Sequence, residues 1–281
     1  MEKNKENLSP ILKWAGGKRQ LLGEIQNLLP DHITTYVEPF LGGGAVLFDL
    51  QPKKAIVNDY NSELMNVYNV IRDEPKKLID LLRKHDMFNS KEYFYQMRSL
   101  DRKLNYNNLS NVEKAARVIY LNKTCYNGLF RVNRLGQFNT PYGNYKNPKI
   151  VDEKKIMNIS EYFNTHNVKI MTGDYKKSLK GLRKGSFVYF DPPYMPLSSI
   201  SFTGYTELGF SIVEQKELRD ICLKLNKQGV KFMISNSDAP EIWRLYGDSS
   251  VFNIKVVGAN RKINSNIQKR GEISELLITN Y

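Results

Sequence analysis

The chain has 281 residues, of which 42 are lysine or arginine and 29 are aspartate or glutamate, so its formal net charge is +13. A hydrophobic content of 41% and a mean hydropathy of −0.49 indicate a globular protein without membrane spans, long enough for one large α/β domain or a catalytic domain with an insertion. The excess positive charge favours a polyanionic partner, although a lysine-rich bias that aids solubility would give the same number.

The sequence gives little support to several other classes of protein. We find no basic amphipathic helix with a continuous apolar face, so no membrane partner is expected. The first ten residues, MEKNKENLSP, are polar, unlike a secretory leader, so we expect a cytoplasmic protein. Cys125 and Cys222 are expected to be reduced thiols, and His32, His85 and His166 form no ligand cluster, so no metal site is expected.

Strand and helix signals alternate in the first part of the chain. Thr35 to Glu38 is typical of a short strand, and Phe40 to Phe48 is typical of a glycine turn that enters a helix. Ala55 to Val57 predicts a second strand. From Asn61 onward apolar residues recur at helical spacing, and Pro75 marks a break or a new helix start. Further helices are predicted at Ser90–Leu100 and Val112–Asn122.

The segment Lys123–Lys149 differs from its surroundings because it is rich in Asn, Gly, Arg, Lys and Tyr, and it predicts an exposed loop or hairpin. Strand signals then return, with one helix between them. The strands are predicted at Val168–Met171, Phe187–Phe190, Val230–Ser235, Val251–Val257 and Ile273–Thr279, and the helix at Val213–Lys227.

This alternation predicts a mostly parallel sheet covered by helices on both faces, with residues 61–149 as an insertion. The last two strands, joined by Gly258 to Gly271, predict a closing antiparallel hairpin. That loop carries four basic residues that either contact DNA phosphates or are simply solvated. They are Arg261, Lys262, Lys269 and Arg270.

The most informative motif is Asp191-Pro192-Pro193-Tyr194, which directly follows the buried-type strand Phe187–Phe190. In open α/β sheets, ligands bind in the crevice at the carboxyl ends of the strands. An acid, two rigid residues and an aromatic ring at such a place suit a planar amino-bearing base, whose exocyclic nitrogen the acid can polarise.

Two more acids follow strands beside a glycine-rich turn. Asp59 ends the second strand, and Gly173-Asp174 follows the third. The turn from Pro39 to Gly44 lets the backbone approach a cofactor closely, yet it matches neither a Walker loop nor the dinucleotide GxGxxG pattern. Each feature alone also fits a turn glycine or a helix-capping aspartate, but their combination argues for a ligand site.

These motifs resemble those of S-adenosylmethionine-dependent DNA adenine-N6 methyltransferases of the Dam and DpnM type, the alpha group of the D12 class. Several motifs carry the resemblance in the order cofactor turn, target-recognition insertion, catalytic motif, and they cover nearly the whole chain. They are Lys13-Trp14-Ala15-Gly16-Gly17-Lys18, Glu38-Pro39-Phe40-Leu41-Gly42-Gly43-Gly44, Asn58-Asp59-Tyr60-Asn61, Gly173-Asp174-Tyr175 and Asp191-Pro192-Pro193-Tyr194.

The resemblance implies a fold and a domain organisation. The fold is α/β, a Rossmann-like S-adenosylmethionine-dependent methyltransferase sheet with an inserted, mainly helical target-recognition domain. The catalytic domain would be discontinuous, from residues 1–60 and 150–281, and the DNA-binding insertion would span residues 61–149.

The resemblance also implies roles for individual residues. The cofactor S-adenosyl-L-methionine would be bound by Trp14, Lys18, Phe40, Gly42, Gly44, Asp59, Asp174, Tyr175 and Asp191. The residues implied to act in catalysis are Asp191, Pro192 and Tyr194. The DNA-binding residues would be Lys13, Tyr126, Asn127, Leu129, Arg131, Asn139 and Pro141, in a hairpin like that of GATC-specific members. Arginine offers a planar fork that matches guanine O6 and N7, which suits Arg131 to base reading.

The expected reaction is direct methyl transfer to N6 of a flipped adenine in double-stranded DNA. The amino group would donate hydrogen bonds to the Asp191 carboxylate and the Pro192 carbonyl, while Tyr194 stacks on the base. The enzyme is expected to act as a monomer. Its role is either protection of host DNA beside a separate restriction endonuclease or an orphan modification.

Two alternatives stay open at this point. The acceptor could be RNA or a protein amide, although amide-directed relatives usually carry Asn where this chain has Asp191. The chain could be a DNA-binding protein that has lost catalysis, although Asp59, Asp191, Tyr194 and the glycine turn are intact. A nuclease has no supporting motif.

Overall fold

A computed structural model describes residues 8–196, 210–260 and 272–281. The predicted strands are confirmed, and they form one seven-stranded sheet in the order β3-β2-β1-β4-β5-β7-β6. Their bounds are β1 Thr35–Glu38, β2 Lys54–Asp59, β3 Asn167–Thr172, β4 Ser186–Phe190, β5 Lys231–Ser237, β6 Asn253–Asn260 and β7 Glu272–Thr279. The four basic residues predicted in the β6–β7 loop lie outside the described residues.

The sheet is Rossmann-like with an antiparallel end. β1 pairs in parallel with β2 and with β4, and β4 pairs in parallel with β5. β7 pairs antiparallel with both β5 and β6, which confirms the predicted closing hairpin. The strand order reverses between β1 and β4, and it is outside the carboxyl ends of the strands at such a reversal that open α/β sheets bind ligands. Asp191 directly follows β4 at that edge.

Four strands, β2, β3, β5 and β6, continue past their predicted carboxyl ends, and in β2 and β5 the added residues are polar. β5 continues through Asn236 and Ser237, which pair with Leu276 and Glu275 of β7. β2 continues through Asn58 and Asp59. A hydrophobicity pattern stops where side chains become polar, whereas backbone pairing with a neighbouring strand continues.

The helices alternate with the strands as predicted. Those of eight or more residues are α3 Ser62–Asp73, α4 Pro75–Met87, α5 Lys91–Ser99, α6 Asn111–Thr124, α7 Glu153–Thr165 and α8 Ile212–Lys227, and the shorter ones are α1 Leu22–Asn27, α2 Ala45–Leu50 and α9 Pro240–Tyr246. Side-chain caps fix several starts: Asn61 caps α3, and Ser110 and Ser211 form capping boxes at α6 and α8. Pro75 is the first residue of α4. No helix of the described residues is long and apolar enough to cross a membrane.

The described chain divides into two compact units. The first contains residues 8–17, 42–53 and 58–173, and the second contains residues 18–41, 54–57 and the described part of 174–281. The first unit is packed around α3 and α6, with Phe48, Tyr68 and Phe163 in mutual ring contact. The core of the second unit includes Phe232 and Ile278. The assignment of residues 61–149 as the recognition insertion stays a prediction.

The polar segment Lys123–Lys149 has little regular structure. Antiparallel bridges join Cys125 to Tyr142 and Val132 to Phe138, so the segment doubles back as a loose hairpin. Cys125 and Phe138 are buried, whereas most of the other side chains are exposed or half-buried. Burial varies along the segment because a few buried residues anchor it and leave its polar residues in solvent. Both cysteines of the protein are buried free thiols, as predicted.

Candidate active site

Asp191 lies in a charged and poorly hydrated environment at the end of β4, a strand buried at every position. Its Oδ1 is 2.8 Å from the Nζ atom of Lys18 and accepts a hydrogen bond of 3.0 Å from Ser235 Oγ. Burial raises the pKa of Asp191 above its ordinary value, while the Lys18 ammonium and the Ser235 hydroxyl oppose that rise. The two contacts therefore favour the ionised carboxylate, which is the form that accepts hydrogen bonds.

Tyr194, three residues further on, is held by its own contacts in the second unit. Its hydroxyl donates to Glu275 Oε2 on β7 at 2.7 Å, and Lys18 Nζ lies 4.6 Å from its ring centroid. Burial raises the pKa of Tyr194 well above its ordinary value, so the hydroxyl stays a neutral donor. Pro192, which follows Asp191 in the chain, is buried. Lys18, predicted to border a cofactor, contacts both Asp191 and Tyr194, the two ends of this motif.

The glycine turn and Asp59 are joined in the first unit. The N–H groups of Gly42 and Asn61 donate to the two carboxylate oxygens of Asp59, each at 2.9 Å. Gly42 and Gly44 have positive φ of 49° and 69°, a conformation that favours glycine. A Cβ on Gly42 would also come within 3.1 Å of Trp14 Cδ1. Asp59 keeps acceptor capacity for a further donor, because a carboxylate offers about four lone-pair sites.

Phe40, Asp174 and Tyr175 come together in the second unit. The rings of Phe40 and Tyr175 stack with centroids 4.9 Å apart. Asp174 accepts a hydrogen bond from the N–H of Lys176 and so caps the 3-10 helix Tyr175–Leu179. The buried hydroxyl of Tyr175 has no hydrogen-bond partner among the described residues. A buried hydroxyl without a partner is costly, so this group fits a site that a polar ligand completes.

Lys13, predicted to contact DNA, is linked to the Lys123–Lys149 segment by Asn122 of α6. The Asn122 side chain accepts from Lys13 N and donates to Lys13 O, both at 2.9 Å, and it also donates to Gly128 O at 2.9 Å. Nearby, Trp14 stacks on Phe130 with ring centroids 4.9 Å apart. The first unit thus links the Lys13-Trp14 segment to the hairpin through both polar and aromatic contacts.

The predicted base-reading residues lie mostly in solvent. Tyr126 and Leu129 are exposed large apolar side chains, and Pro141 is exposed as well. Exposed apolar side chains on a polar segment are typical of a binding surface. Asn127 adopts a positive φ of 57° in the short 3-10 turn Tyr126–Gly128.

Arg131 and Asn139 contact each other across the hairpin. Arg131 Nε donates to Asn139 Oδ1 at 2.7 Å. One edge of the Arg131 guanidinium is therefore held by Asn139.

Comparison with known proteins gives the family. The model of the D12 class N6 adenine-specific DNA methyltransferases matches residues 14–263. The chain belongs to this family. It is 50% identical over 282 residues to the type II methyltransferase M1.LlaDCHI of Lactococcus lactis subsp. cremoris, covering 100% of this chain and 98% of that protein. It is 45% identical to the type II methyltransferase M.MjaIII of Methanocaldococcus jannaschii, covering 98% of this chain and 99% of the relative, and 34% identical to the DNA adenine methylase of Serratia marcescens, covering 99% and 98%.

This DNA adenine-N6 methyltransferase also contains a buried charged cluster that sequence analysis missed. Asp101 Oδ2 lies 2.8 Å from Arg117 Nη2 and accepts a hydrogen bond of 2.7 Å from Phe138 N. Arg102 donates to Phe138 O at 2.8 Å, and Arg98 donates to Thr140 O at 3.3 Å. The returning arm of the hairpin is therefore anchored to the end of α5 by side chains. Charges in a helical pattern ordinarily indicate a solvated face, so nothing in the sequence identified this cluster.

The contacts of the methyltransferase motif Asp191–Tyr194 were missed for a different reason. Ser235, Glu275 and Lys18 are distant from the motif along the chain, and only strand order brings them to it. The polar end of the apolar run at β5 was the one available signal. The polar residues Ser235, Asn236 and Ser237 at the end of the central strand β5 indicate that polar groups are bound there.

Proposed function

We propose that this methyltransferase modifies N6 of adenine in GATC sites of double-stranded DNA, and that the adenine is flipped out of the duplex for transfer. The observation that carries the proposal is the Lys18–Asp191–Tyr194 cluster at the carboxyl end of β4. A charged acceptor and an aromatic ring, three residues apart and held by one lysine, suit a flat amino-bearing base. In enzyme nomenclature this is a site-specific DNA-methyltransferase (adenine-specific), EC 2.1.1.72.

Asp191, Pro192 and Tyr194 have separate tasks in this proposal. The adenine amino group is a poor nucleophile because its lone pair is delocalised into the ring. Hydrogen bonds donated by that group to the Asp191 carboxylate and to the Pro192 carbonyl localise the lone pair on N6. The two prolines restrict the backbone, so the carbonyl keeps its direction. Tyr194 stacks on the base and offsets part of the stacking energy lost in flipping, which is a few kcal/mol.

S-adenosyl-L-methionine, when bound, supplies a methyl group on a positively charged sulfonium. We assign Trp14 and the Gly42–Gly44 turn to contacts with it in the first unit, and Asp59 to its ribose hydroxyls. In the second unit we assign Phe40, Asp174 and Tyr175. The support is the remaining acceptor capacity of Asp59 and the unpartnered hydroxyl of Tyr175. Lys18 would border this site while holding Asp191.

The hairpin is assigned to reading the site. Arg131, already oriented by Asn139, would donate to guanine O6 and N7, and Lys13 would reach a guanine at the edge of the site. Leu129 and Pro141 would pack on bases, and Tyr126 is exposed enough to enter the stack. The specificity for GATC rests on the resemblance of this hairpin to that of GATC-specific enzymes.

The proposal is tested with two duplexes that differ only in one GATC site and its scrambled version. Methyl transfer from labelled cofactor is measured, followed by mass analysis of the nucleosides. We expect N6-methyladenine only in the GATC duplex, and none with Asp191→Ala, which should still bind DNA. Transfer to both duplexes would overturn the specificity. Transfer by Asp191→Ala at the wild-type rate would overturn the site.

The cellular role follows from the relatives rather than from the geometry. Two relatives at 50% and 45% identity are called type II methyltransferases, which favours a role beside a separate restriction endonuclease over an orphan role. We further propose that the enzyme acts as a monomer on one strand at a time. Sedimentation of the enzyme with a single-site duplex would reveal a second protomer if one were required.

A further inference from the structure

Two buried amide side chains flank the Asp191–Tyr194 motif, and neither the sequence motifs nor the comparisons assign them a role. Gln215 of α8 and Asn236 of β5 are both completely buried. Asn236 Nδ2 donates to Gln215 Oε1 at 3.1 Å, which joins the two residues into a pair. Buried amides are expensive unless their donors and acceptors are used, so their partners identify what the pair holds.

The partners of the pair are backbone groups on either side of Tyr194. Gln215 Nε2 donates to the carbonyl of Pro193 at 3.0 Å, and Asn236 Oδ1 accepts from the N–H of Met195 at 3.2 Å. The orientation of both amides is determined, because each donor faces an oxygen and each oxygen faces an N–H. The backbone groups before and after Tyr194 are thus held by one continuous chain of hydrogen bonds.

Two further contacts complete the arrangement. Ser237 Oγ donates to the carbonyl of Met195 at 2.6 Å, and Glu275 accepts from the Tyr194 hydroxyl at 2.7 Å. Asn236 Oδ1 also accepts from Ser237 N at 2.9 Å, so the strand end itself is part of the clamp. The backbone of Tyr194 is fixed from β5 and α8, and its ring is fixed from β7.

We propose that Gln215 and Asn236 are positioning residues that hold Tyr194 in the orientation required to stack on the target adenine. This inference rests on the proposed stacking role of Tyr194. A ring attached to a loop can tilt about its backbone, and a displacement of about 1 Å at a reacting centre can reduce a rate on the order of 100-fold. The amide pair opposes that tilt without touching the substrate, and because both side chains are completely buried and hydrogen-bonded, it is also rigid.

The test compares Gln215→Met and Asn236→Leu, which keep approximate side-chain volume, with the double variant. Either single change breaks the chain of hydrogen bonds from Pro193 to Met195. We therefore expect each to lower kcat about 10- to 100-fold, and the double variant to be little worse than the worse single one. The dissociation constant of the cofactor should not change.

A matched control is Asn280, which follows β7 and binds the start of β5, the end opposite to Asn236. Asn280 accepts from Phe232 N at 2.9 Å and donates to Val230 O at 3.0 Å, so it is an amide clamp of the same kind away from the motif. Asn280→Ala should lower the unfolding temperature and leave kcat unchanged. All variants are assayed at a temperature where circular dichroism shows them folded.

The outcomes separate the inference from the proposed function. If Tyr194→Ala is slow while Gln215→Met and Asn236→Leu turn over like the wild type, the positioning role is wrong and the site assignment stands. If Asn280→Ala slows catalysis as much as the pair variants, general loosening of β5 explains the effect and the inference is overturned. If Tyr194→Ala has full activity, the stacking role fails, and the positioning role fails with it.

Discussion

At the scale of single residues, the environment of Asp191 has two opposing effects on the pKa of its carboxylate. Burial at the end of β4 disfavours charge on Asp191, while Lys18 at 2.8 Å favours it. Lys18 is 7% exposed and also lies over the Tyr194 ring, so its ammonium is well placed to fix both groups. The ionised carboxylate is the stronger hydrogen-bond acceptor and the form that the proposed reaction requires. The protonation of Asp191 is thus expected to depend on Lys18.

This dependence predicts a shift in the pH profile of Lys18→Met. In the proposed mechanism activity requires ionised Asp191, so activity should be present above the pKa of that group and lost as the pH falls through it. Removing the ammonium removes the main influence that lowers this pKa, so the acid limb of kcat should move to higher pH. The profile is measured between about pH 5 and 9.

The control for this prediction is Lys255→Met. Lys255 pairs with Glu24 at 2.8 Å, but both side chains are more than 40% exposed, and neither residue belongs to a motif of the proposed site. Its substitution should leave the pH profile unchanged. A loss of activity in Lys18→Met that is equal at every pH would mean that Lys18 acts in some way other than through the charge of Asp191.

At the scale of elements, the hairpin within Lys123–Lys149 depends on the neighbouring helices for its shape. Its two arms share isolated bridges rather than a continuous ladder, and isolated hairpins are at best marginally stable. The Asp101–Arg117 pair, with side chains 9% and 2% exposed, replaces the missing ladder bonds by holding Phe138. A buried ion pair contributes only modestly to folding stability. Removing one partner is nevertheless strongly destabilising, because the other charge is left buried without a partner.

Asp101→Asn is therefore expected to lower the free energy of unfolding by on the order of 3 kcal/mol. Because the hairpin loses its anchor, affinity for a GATC duplex should also fall, while cofactor affinity is retained. Denaturant unfolding and DNA titration measure the two effects. Asp73→Asn is the control, since Asp73 pairs with Arg72 at the surface and should change stability by less than about 1 kcal/mol. Equal effects of the two variants would contradict the anchoring role.

A second prediction at this scale concerns the packing of α4, α5 and α6. His85 of α4 contacts Tyr93 Oη at 2.7 Å and stacks on Tyr120, and burial lowers its pKa from 6.5 to about 4. The unfolded chain takes up a proton near its ordinary pKa, whereas the folded chain does so only near pH 4. Stability should therefore fall as the pH drops from about 6.5 to about 4, by about 3 kcal/mol in total.

His85→Gln should flatten this dependence, measured as the free energy of unfolding at several pH values. His32→Gln is a matched control because His32 is exposed. His32→Gln should show the same pH dependence of the free energy of unfolding as the wild type. A His85→Gln protein whose stability falls with acid as steeply as the wild type would show that another group is responsible.

At the scale of the whole molecule, the net charge of +13 suits a DNA substrate, whose phosphates are negatively charged. Each lysine or arginine that meets a phosphate releases counterions, so affinity depends steeply on salt. The charge supports encounter and retention on DNA of any sequence, whereas the few hairpin residues are assigned to selection. A basic protein of this kind can bind non-specifically and still modify only its own site.

We therefore expect affinity for a GATC duplex to fall about 1,000-fold or more between 50 and 200 mM salt, as for proteins that make six to ten phosphate contacts. Binding titrations at several salt concentrations measure the slope. Arg131→Ala should reduce discrimination between the GATC and scrambled duplexes while changing this slope little, because its proposed contact is to a base. A slope near zero for the wild type would mean that its positive charge does not meet phosphates.

Much of this architecture is readable from the sequence because it depends on local patterns. Each strand was identified from a short apolar run, and Pro75 was identified as a possible start of α4, because such signals act within a few residues. The motif at Asp191–Tyr194 was placed at a strand end by the same reasoning. The family resemblance added roles for the site residues, and all of these roles stay predictions.

The sequence by itself therefore determined the strands, several of the helices, the α/β class and the place of the Asp191–Tyr194 motif. Only the tertiary structure decided which residues surround that motif. Glu275 meets Tyr194 across 81 positions of chain because β7 inserts between β5 and β6, and Asn122 meets Lys13 across 109 positions. The physical reason is that propensity and periodicity act over one or two turns, whereas a hydrogen bond across the fold depends on strand order and packing.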